Sequence, residues 1–490
     1  MDLTRFEHHL ESPQGRRHLP ANPFTGAAGG GGCCDRLQIS LAVERDRVTD
    51  AGFDGEGCGA ALAAGSATVA LVRGRPILEV ARLGAREIAA ELGGLSPGKL
   101  HAAELASDAL HRALGAAVRA GAAIDPPVSG ASRTLVAMSG GVDSAVAALL
   151  CARAGETLAV TLELWADPEN DGERSCCSAS AVRGARALAH RMGLAHLTID
   201  LRDEFRAGVV EPFISGHAAG ETPNPCVRCN GHVRLDAMLA LADALGCARL
   251  ATGHYARLAD RENASGPLLR AAADPVKDQT YMLAALAPRS LARLSFPLGE
   301  LTKPEVRTIA AEAGLPVAGK PDSQDLCFLA GTDRERFLAR HGGLSERPGE
   351  VVDREGARLG GHRGHHRFTV GQRRGLHLGG GEPLYVLETD AERNRVVVGS
   401  RADLLTDRVA VRGARLHRPG ARVDRIKLRY RAQPLPARLA GAPPAGRHAA
   451  LTVHLDAAAD AAAPGQLACL MDGDLVVGWG TITRTPAWAT

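Results

Sequence analysis

The sequence predicts an α/β protein with a doubly wound parallel sheet, extended by smaller domains. Short apolar runs alternate with Ala-rich helical segments between residues 133 and 330, and this alternation is typical of parallel sheets. The 490 residues are enough for about three domains. The composition, 45% hydrophobic and 23% charged, is that of a soluble globular protein.

Composition also excludes several classes of protein. The net charge is +3, so a nucleic-acid surface must be a local patch, and an aromatic content of 3% argues against an aromatic RNA-stacking sheet. Eleven cysteines are too few for a disulfide scaffold and suggest thiols used in chemistry or metal binding. The N-terminus lacks the apolar core of a secretory signal, and no apolar run approaches the roughly 18 residues that span a bilayer. We therefore expect a cytoplasmic protein without membrane insertion.

The elements before the parallel sheet predict a smaller α+β region. Alternating runs at 37–43 and 47–53 predict a β-hairpin, and the spacing of Leu110, Leu114 and Val118 predicts a helix over residues 100–119. Gly, Pro and Ser between residues 121 and 133 indicate a linker.

The remaining elements follow in order. Predicted strands lie at 134–138, 158–164, 195–199 and 249–252, and predicted helices at 145–153, 181–192 and 235–245. Residues from about 331 to 400 are Gly-rich and show an irregular pattern, and short alternating strands from about 401 predict a small β-barrel. The predicted domains are 1–122, a linker at 123–132, 133–330, a small central domain at 331–402, and 403–490.

A glycine-rich segment follows the first strand of the parallel sheet. It reads Ser139-Gly140-Gly141-Val142-Asp143-Ser144 and leads into a helix. Glycines let the backbone approach a ligand closely, and a helix N-terminus favours an anion. The segment lacks the Gly-Lys-Ser/Thr of a Walker A loop and resembles the PP-loop of ATP pyrophosphatases, which implies the adenine nucleotide alpha hydrolase-like fold. A plain glycine turn is the alternative.

Further motifs make the resemblance more specific. They are Thr222-Pro-Asn-Pro-Cys-Val-Arg-Cys-Asn230, Ala251-Thr-Gly-His-Tyr-Ala-Arg257, Lys277-Asp-Gln-Thr-Tyr281, Phe296-Pro-Leu-Gly299, Lys320-Pro-Asp-Ser-Gln-Asp-Leu-Cys-Phe328 and Gly371-Gln-Arg-Arg-Gly-Leu376. Together they closely resemble the tRNA-specific 2-thiouridylase family over about residues 133–487. The resemblance implies tRNA as substrate, ATP and Mg²⁺ as cofactors, and a cysteine desulfurase or sulfur-relay protein as sulfur donor.

The resemblance also implies a role for two cysteines. Cys327 would carry a persulfide, and Cys229 would attack it, release the sulfur and form a transient Cys229–Cys327 disulfide. Thiolates perform both steps well near neutral pH. Isolated cysteines such as Cys151, Cys247 and Cys469 are instead expected to be small buried apolar residues.

Binding residues are implied in the same way. The nucleotide would meet Ala137, Met138, Ser139, Gly140, Gly141, Val142, Asp143, Ser144, Leu162 and Gly253, with Asp143 as the candidate for orienting Mg²⁺ or pyrophosphate. The target base would meet Asn224, Pro225 and Cys226. Contacts to tRNA would come from His254, Lys277, Asp278 and Gln279.

One position departs from the family pattern. Many members have Asp where this chain has Cys226, and the change creates a Cys-x-x-Cys with Cys229. Cys226, Cys229 and Cys327 are therefore an alternative ligand set for a [4Fe–4S] cluster with one open iron. Another alternative is a PP-loop ligase of the asparagine-synthetase type, which needs no paired thiols.

The C-terminal part carries a local excess of basic residues. Residues 401–450 contain twelve Lys or Arg and three Asp, a balance of +9. Such a patch is typical of a phosphate-backbone surface with salt-dependent binding, and a solvated basic face is the alternative. The resemblance adds Arg429, Tyr430 and Gln466 as tRNA contacts, and residues 363–374 form another basic loop.

The N-terminal region resembles an IscU/NifU-like iron–sulfur scaffold over about residues 20–120. The matching residues are Cys33 or Cys34, Asp35, Cys58 and His101. The third scaffold cysteine is replaced by Ala102, yet thiolate, imidazole and carboxylate still suit an iron–sulfur cluster or zinc. A docking surface for a cysteine desulfurase and a degenerate remnant remain alternatives.

These observations predict an ATP-dependent sulfurtransferase that 2-thiolates the wobble uridine of tRNA, fused to a scaffold-like domain. An iron–sulfur assembly or trafficking protein, whose PP-loop half is accessory, is the alternative from another class.

Overall fold

A computed structural model describes residues 3–29, 34–127, 132–167, 178–259, 266–322, 326–379 and 382–484. These residues form sheets of three, five, four and eight strands. Within the same ranges, no helix is both long enough and apolar enough to cross a membrane.

The first region is a three-stranded antiparallel sheet with helices packed against it. Its elements are α1 Leu3–Glu11, β1 Phe24–Gly29, β2 Arg36–Glu44, β3 Arg47–Glu56, α2 Gly59–Val72, α3 Ile77–Val80, α4 Ala85–Glu91 and α5 Leu100–Arg119. The strand order is β1-β2-β3, which confirms the predicted hairpin, and α5 confirms the predicted helix. Leu37, Ile39 and Leu41 of β2 are buried because one face of the sheet packs on α2 and α5.

The next region contains the predicted parallel sheet. Its strands are β4 Arg133–Ala137, β5 Thr157–Glu163, β6 Ala195–Asp200, β7 Cys247–Thr252, β8 Arg257–Ala259, β9 Leu268–Arg270 and β10 Leu294–Ser295. Its helices are α6 Val142–Ala154, α7 Ala179–Arg191, α8 Arg202–Phe205, α9 Glu211–Ala218, α10 Pro225–Arg228, α11 Leu235–Ala244, α12 Thr280–Leu283, α13 Pro288–Leu291 and α14 Lys303–Glu312. Each strand and helix predicted here is present, with ends that differ by at most three residues.

The five parallel strands follow the order β10-β7-β4-β5-β6. All seven residues of β5 are buried, as expected for a parallel strand covered on both faces. The chain leaves β4 towards β5 and β6 and then returns to place β7 on the other side of β4. Ligands of open α/β sheets bind at such a reversal, at the carboxyl ends of the strands.

Residues 331–400, whose sequence pattern is irregular, form regular secondary structure. They contain α15 Arg334–Gly342, β11 Gly349–Val352, β12 Arg358–His362, β13 Tyr385–Asp390 and β14 Arg395–Gly399. The strands form one sheet in the order β12-β11-β14-β13. They are short, and β12 contains two adjacent glycines, so apolar alternation is weak along the sequence.

The C-terminal region forms the predicted barrel. Its elements are α16 Arg401–Leu404, β15 Leu405–Leu416, β16 Arg425–Lys427, β17 Leu435–Leu439, β18 Gly446–Asp460, β19 Leu467–Asp472 and β20 Leu475–Ile482. The order β15-β18-β17-β16-β19-β20 closes through pairing of β15 with β20. The short strands β9 and β8 extend this sheet beside β20, which sequence analysis did not predict.

A buried ion pair joins the parallel-sheet region to the barrel. Lys427 Nζ lies 3.0 Å from Asp278 Oδ2, and the two side chains are 10% and 8% exposed. Asp278 also accepts a hydrogen bond from the Thr280 hydroxyl at 2.9 Å. The buried Tyr281 hydroxyl donates to the Leu467 carbonyl at 2.9 Å. Polar bonds therefore fix the two regions to each other.

We expect Lys427→Met to lower the free energy of unfolding by roughly 3–5 kcal/mol, because it leaves the Asp278 carboxylate buried without its cation. Chemical denaturation measures the change. Arg438→Met is the matched control, since Arg438 pairs with Asp456 at 2.9 Å on the surface and its loss should cost far less. Equal effects of the two substitutions would contradict a structural role for the buried pair.

Candidate functional site

The glycine-rich loop, residues 139–144, connects β4 to α6 at the carboxyl edge of the parallel sheet. Gly140 has a φ of +71°, and a Cβ there would lie 2.9 Å from the Ala181 carbonyl oxygen. The Ser144 hydroxyl accepts a hydrogen bond from the Ser139 N–H at 3.1 Å and donates to the Gly141 carbonyl at 3.1 Å. The loop is thus held in shape by its own bonds, and the first turn of α6 offers backbone N–H groups to an anion.

Other predicted nucleotide residues occupy different surroundings. Ala137 ends β4, whereas the side chains of Met138 and Val142 are buried in the core, so only their backbones are available to a ligand. Leu162 lines a cavity of about 650 Å³, and neither the loop nor Gly253 lines that cavity. The structure therefore does not bring the Leu162 side chain together with the loop in one cavity.

Gly253 lies against the loop because β7 is the neighbour of β4. A Cβ at Gly253 would lie 2.8 Å from the backbone carbon of Asp143 and 2.8 Å from the backbone nitrogen of Ser144. Any side chain at this position would displace the loop. The predicted association of Gly253 with residues 139–144 is therefore present in the fold.

A charged network surrounds the start of α6. Lys303 Nζ lies 2.6 Å from Asp143 Oδ1 and 2.9 Å from Asp322 Oδ1. Asp322 also pairs with Lys277 at 2.6 Å and with Arg307 at 3.1 Å. Three cations therefore converge on one carboxylate beside the loop.

Two groups of this site have shifted pKa values. Burial would raise the pKa of Asp322, but hydrogen bonds from Lys277 and Lys303 outweigh it and lower the pKa to about 2. The Tyr255 hydroxyl donates to Asp143 Oδ1 at 2.9 Å, and burial together with Asp143 raises the pKa of Tyr255. At neutral pH Asp322 is therefore charged and Tyr255 is protonated.

Sequence analysis gave no role to Lys303, Tyr255 or Asp322. Tyr255 and Asp322 lie inside the motifs at 251–257 and 320–328, so these motifs could have pointed to a role for them. Lys303 carries no such signal, because it meets Asp143 only after the chain has folded over 160 positions.

The two predicted catalytic cysteines begin separate helical turns. Cys229 is buried and begins a π-helical turn, Cys229–Arg234. Cys327 is half-buried and begins the 3-10 turn Cys327–Leu329. Both contribute to the same hydrophobic cluster.

One segment of chain contacts both turns. Next to Cys327, the Phe328 ring packs on Phe205 and Phe213, with ring centroids 5.9 and 5.3 Å apart. These two rings flank a second π-helical turn, Arg206–Val210. The two cysteine turns therefore lie beside the same segment rather than on opposite sides of the molecule.

The contact with the Cys229 turn is close. A Cβ at Gly208 would lie 2.5 Å from Val233 Cγ2, so the two π-helical turns touch where residue 208 has no side chain. The Arg228 Nε donates to the Gly208 carbonyl at 2.6 Å. Arg228 lies directly before Cys229, so this bond helps to position the cysteine.

The predicted base-binding loop faces the barrel. Asn224 caps α10 by accepting hydrogen bonds from the Cys226 and Val227 N–H groups at 3.1 and 3.2 Å, and Pro225 is the buried first residue of that helix. The Gln466 side chain donates to the Thr222 carbonyl at 2.6 Å. The barrel thus reaches the loop through Gln466.

Two further predicted tRNA contacts lie on the barrel. Arg429 is exposed and donates to the Ala461 carbonyl at 3.2 Å. Tyr430 is half-buried, and burial raises its pKa, with Cys226 among the groups that act in the same direction.

The other predicted tRNA residues are engaged within the protein. His254 bonds to the Thr252 hydroxyl at 2.9 Å, and burial and Arg234 lower the pKa of His254 to about 3. Gln279 Oε1 accepts from the Tyr255 N–H at 2.9 Å, while Asp278 and Lys277 form the ion pairs described above. Their side chains position neighbouring loops, and direct contact with tRNA stays a prediction.

The basic balance expected for residues 401–450 is reduced by acids outside that window. Five of the twelve cations pair with such acids: Arg401 with Asp460, Arg412 with Glu221, Arg422 with Asp472, Lys427 with Asp278 and Arg438 with Asp456. The count of +9 therefore overstates the charge offered to a ligand. Arg429, Arg431 and Arg447 are exposed.

A second cluster of reactive side chains lies in the first region. Ligand atoms of Asp35, Cys58 and His101 all lie within 4.8 Å of one another. Asp35 accepts from the Cys58 N–H at 2.9 Å, and the Cys58 thiol lies 3.3 Å from its other oxygen. Burial would raise the pKa of Asp35, but the bonds from Cys58 and the nearby His101 lower it.

The donor set of this trio fits a metal ion. His101 Nε2 is buried and makes no hydrogen bond within the described part of the chain, although it lies 3.4 Å from Asp35 Oδ2, while Nδ1 bonds to the Gly98 carbonyl at 3.1 Å. Sulfur, imidazole nitrogen and carboxylate oxygen suit zinc. Cys34 is exposed with a φ of +56°, Ala102 is buried in the core, and Cys33 lies outside the described residues.

The alternative cluster site has a different geometry. Among the residues that the structure describes, only the ligand atoms of Asp35, Cys58 and His101 form a group of three within 4.8 Å of one another. The sulfur atoms of Cys226, Cys229 and Cys327 are therefore not grouped closely enough to bind a single metal ion together. In a [4Fe–4S] cluster each cysteine binds a different iron, so the sulfurs lie farther apart than around a single ion, and a cluster at these three cysteines stays a prediction.

Burial keeps the thiols of three other cysteines protonated at neutral pH. Burial raises the pKa of Cys151 to about 11 and the pKa values of Cys247 and Cys469 to about 12. The prediction that these are small buried residues agrees with the burial of Cys247 and Cys469, whereas Cys151 is half-buried and packs against the apolar core.

The charged network predicts a specific pH dependence of stability. The low pKa of Asp322 contributes stability above the unfolded aspartate pKa of about 3.9, and this contribution is lost as pH falls towards about 2. Asp322→Asn should therefore be less stable at neutral pH and lose less stability than the native chain on acidification. Unfolding by urea at several pH values tests this. Asp407→Asn, on the exposed barrel surface, is the control, and parallel curves for Asp322→Asn and the native chain would contradict the expectation.

Family models match four stretches of the chain. The NifU-like N terminal domain matches residues 5–119, and the tRNA methyl transferase HUP domain matches residues 132–331. The tRNA methyl transferase PRC-barrel domain matches residues 335–400, and the aminomethyltransferase beta-barrel domain matches residues 417–482.

Curated relatives match either nearly the whole chain or a little under three quarters of it. A bifunctional protein NifU/MnmA of Rubrobacter xylanophilus is 43% identical over 98% of this chain and 98% of that protein. A tRNA-specific 2-thiouridylase MnmA of Chloroflexus aggregans is 44% identical over 72% of this chain and 99% of that protein. One of Methylorubrum extorquens is 42% identical over 73% and 94%. The chain therefore belongs to the bifunctional NifU/MnmA family, in which a NifU-like domain is fused to a tRNA-specific 2-thiouridylase.

Proposed function

We propose that this enzyme uses ATP to 2-thiolate the wobble uridine of tRNA, with release of AMP and pyrophosphate. The observation that carries the proposal is that the Cys229 and Cys327 turns pack against one segment of the chain, residues 205–213. This segment belongs to the region that contains the phosphate loop, which is the glycine-rich loop at residues 139–144. A nucleotide site and two thiols in one region are the minimum that activation followed by sulfur transfer requires.

Activation comes first because the uridine oxygen is a poor leaving group. The C2 oxygen attacks the α-phosphorus of ATP, pyrophosphate leaves, and the base carries AMP on its oxygen. Residues 139–144 and the N-terminus of α6 would hold the phosphates. Asp143 would orient Mg²⁺ bound to them, and Lys303 and Tyr255 set the direction of its carboxylate.

Sulfur transfer follows. The Cys327 thiolate attacks the outer sulfur of a persulfide on a donor protein, which moves that sulfur to Cys327 as a new persulfide and leaves a cysteine thiolate on the donor. The Cys229 thiolate attacks the inner sulfur of that persulfide, which forms the Cys229–Cys327 disulfide and releases hydrosulfide. Hydrosulfide adds to C2 and AMP leaves with the oxygen, which gives 2-thiouridine. An external thiol reductant then restores both cysteines.

The tRNA surface would combine the barrel with the loop at 222–230. Gln466 joins these two parts, and the exposed arginines Arg373, Arg374, Arg429, Arg431 and Arg447 lie on the barrel and the preceding region. Binding by these cations should weaken as salt rises. The internal ion pairs of the barrel arginines make this dependence shallower than the local charge count suggests.

The trio of the first region supports a second role. Asp35, Cys58 and His101 would hold zinc or an iron of an iron–sulfur cluster, and such a metal would stabilise the thiolate of Cys58. A sulfur donor such as a cysteine desulfurase would act at this region or directly at Cys327.

Thiolation in cells tests the main proposal. Transfer RNA from cells that lack this protein should lose the retardation that thiolated tRNA shows in a mercury-containing gel. Unchanged retardation would overturn the proposal.

Serine substitutions separate the two chemical steps. Cys327→Ser and Cys229→Ser should abolish sulfur transfer yet retain tRNA-dependent release of pyrophosphate, because activation does not use the thiols. Cys151→Ser is the matched control, since burial makes that thiol unreactive, and it should retain both steps. Full thiolation by Cys327→Ser would favour an ATP-dependent ligase instead.

Metal content tests the trio. Cys58→Ser and His101→Ala should each remove most of the zinc or iron that copurifies with the anaerobically prepared chain. Cys34→Ser should not, because Cys34 is exposed and outside the trio. Elemental analysis gives the metal content. A native chain without zinc or iron would leave the trio without a metal-binding role.

A further inference from the structure

The NifU-like region packs directly on the edge of the parallel sheet. Helix α5 crosses β6, which is the last strand on that side. A Cβ at Gly115 of α5 would lie 1.9 Å from the Thr198 carbonyl oxygen, so the helix approaches the strand as closely as a glycine allows. Leu110 and Leu114 of α5 belong to the same buried cluster as Leu197 and Ile199.

Backbone groups of the edge strand find partners in the NifU-like region. The His196 N–H donates to the Ala81 carbonyl at 2.9 Å, and the His111 ring bonds to the His196 carbonyl at 3.0 Å. An uncovered edge strand presents such groups to solvent or to other chains. The NifU-like region therefore completes this edge.

Two sets of ion pairs cross the interface, one with its cation on α5 and one with its anion on α5. Arg112 of α5 contacts Glu163 at 2.5 and 3.0 Å, and the Glu163 side chain is 7% exposed. In the reverse sense, Asp108 of α5 pairs with Arg186 and, at 2.7 Å, with Arg183. Asp108 and Arg186 are nearly fully buried, so each charge depends on its partner in the other region.

The interface also reaches the end of β5. Glu163 directly follows Leu162, which sequence analysis assigns to the nucleotide. Val118 and Arg119 of α5 form one wall of the cavity that Leu162 lines. The NifU-like region thus both balances the charge of Glu163 and encloses its neighbour.

We propose that the NifU-like region is a permanently docked part of the thiouridylase, rather than a carrier on a flexible tether, and that Arg112 is a positioning residue for the nucleotide end of β5. The second half of this statement rests on the proposed function, and the first half does not. Docking holds the Asp35–Cys58–His101 trio in one orientation relative to the phosphate loop.

Cleavage of the linker tests docking. A site for a sequence-specific protease is inserted between Pro126 and Pro127 of the full chain, and the folded protein is cut and passed over a gel-filtration column. The two pieces should elute together, because the buried interface survives loss of the covalent link. Elution as two separate species would overturn the proposal.

Charge variants test the contacts that hold the pieces together. Arg112→Glu in the cleaved protein should speed dissociation by about tenfold or more, since it places two carboxylates together at a buried site. The double variant Arg112→Glu, Glu163→Arg should restore association. Arg86→Glu, on the exposed face of α4, is the matched control and should dissociate as slowly as the native pieces. Equal dissociation of Arg112→Glu and Arg86→Glu would exclude the pair as part of the interface.

Kinetics of the uncut chain test positioning. Arg112→Glu should raise the KM for ATP in tRNA-dependent pyrophosphate release several-fold, with a smaller effect on kcat, and the double variant should recover. An unchanged KM in Arg112→Glu, although the cut pieces of this variant dissociate faster than the native pieces, would overturn positioning and leave docking intact. Absence of pyrophosphate release in the native chain would instead remove the proposed function, while gel filtration would still decide docking.

Discussion

The contact between the ends of β4 and β7 is the constraint on which the rest of the site depends. Because β7 lies beside β4, Gly253 presses against the backbone of Asp143 and Ser144. The residues that follow Gly253 include Tyr255, whose hydroxyl holds the Asp143 carboxylate. One strand end therefore sets both the shape of the phosphate loop and the direction of the charge at its helix. Lys303 completes this arrangement from α14, so the loop is supported from two sides.

Aromatic residues are rare in this chain, yet they gather beside Cys327. Phe205, Phe213, Phe328 and Phe337 form one group with ring centroids 5.0 to 6.3 Å apart, and Trp165 continues it. Such rings are large and rigid, and they fix a short turn that has few backbone bonds of its own. The same group flanks the π-helical turn that touches the Cys229 turn. Aromatic packing therefore relates two thiols that are far apart in sequence.

Local patterns predicted much of this structure, whereas long-range pairing did not follow from them. Interactions between residues close in sequence determine the phosphate loop, the hairpin of β2 and β3, and helix α5, so the positions of these elements were predicted well. Lys303 was missed because its partners lie on distant segments. The charge of the barrel was overestimated because acids such as Asp456 and Glu221 lie outside the basic window. The docking of α5 was not foreseen, since Gly115 in an Ala-rich helix gives no sign of the strand that it meets.

The inert cysteines have a consequence for the fate of activated sulfur. A thiol with a pKa near 11 is ionised in only about one molecule in ten thousand at neutral pH. Sulfane sulfur moves between thiolates, so Cys151, Cys247 and Cys469 are poor acceptors even when a persulfide forms in the same chain. Burial therefore keeps persulfide sulfur from being transferred to these three cysteines, because forming a thiolate in apolar surroundings is costly.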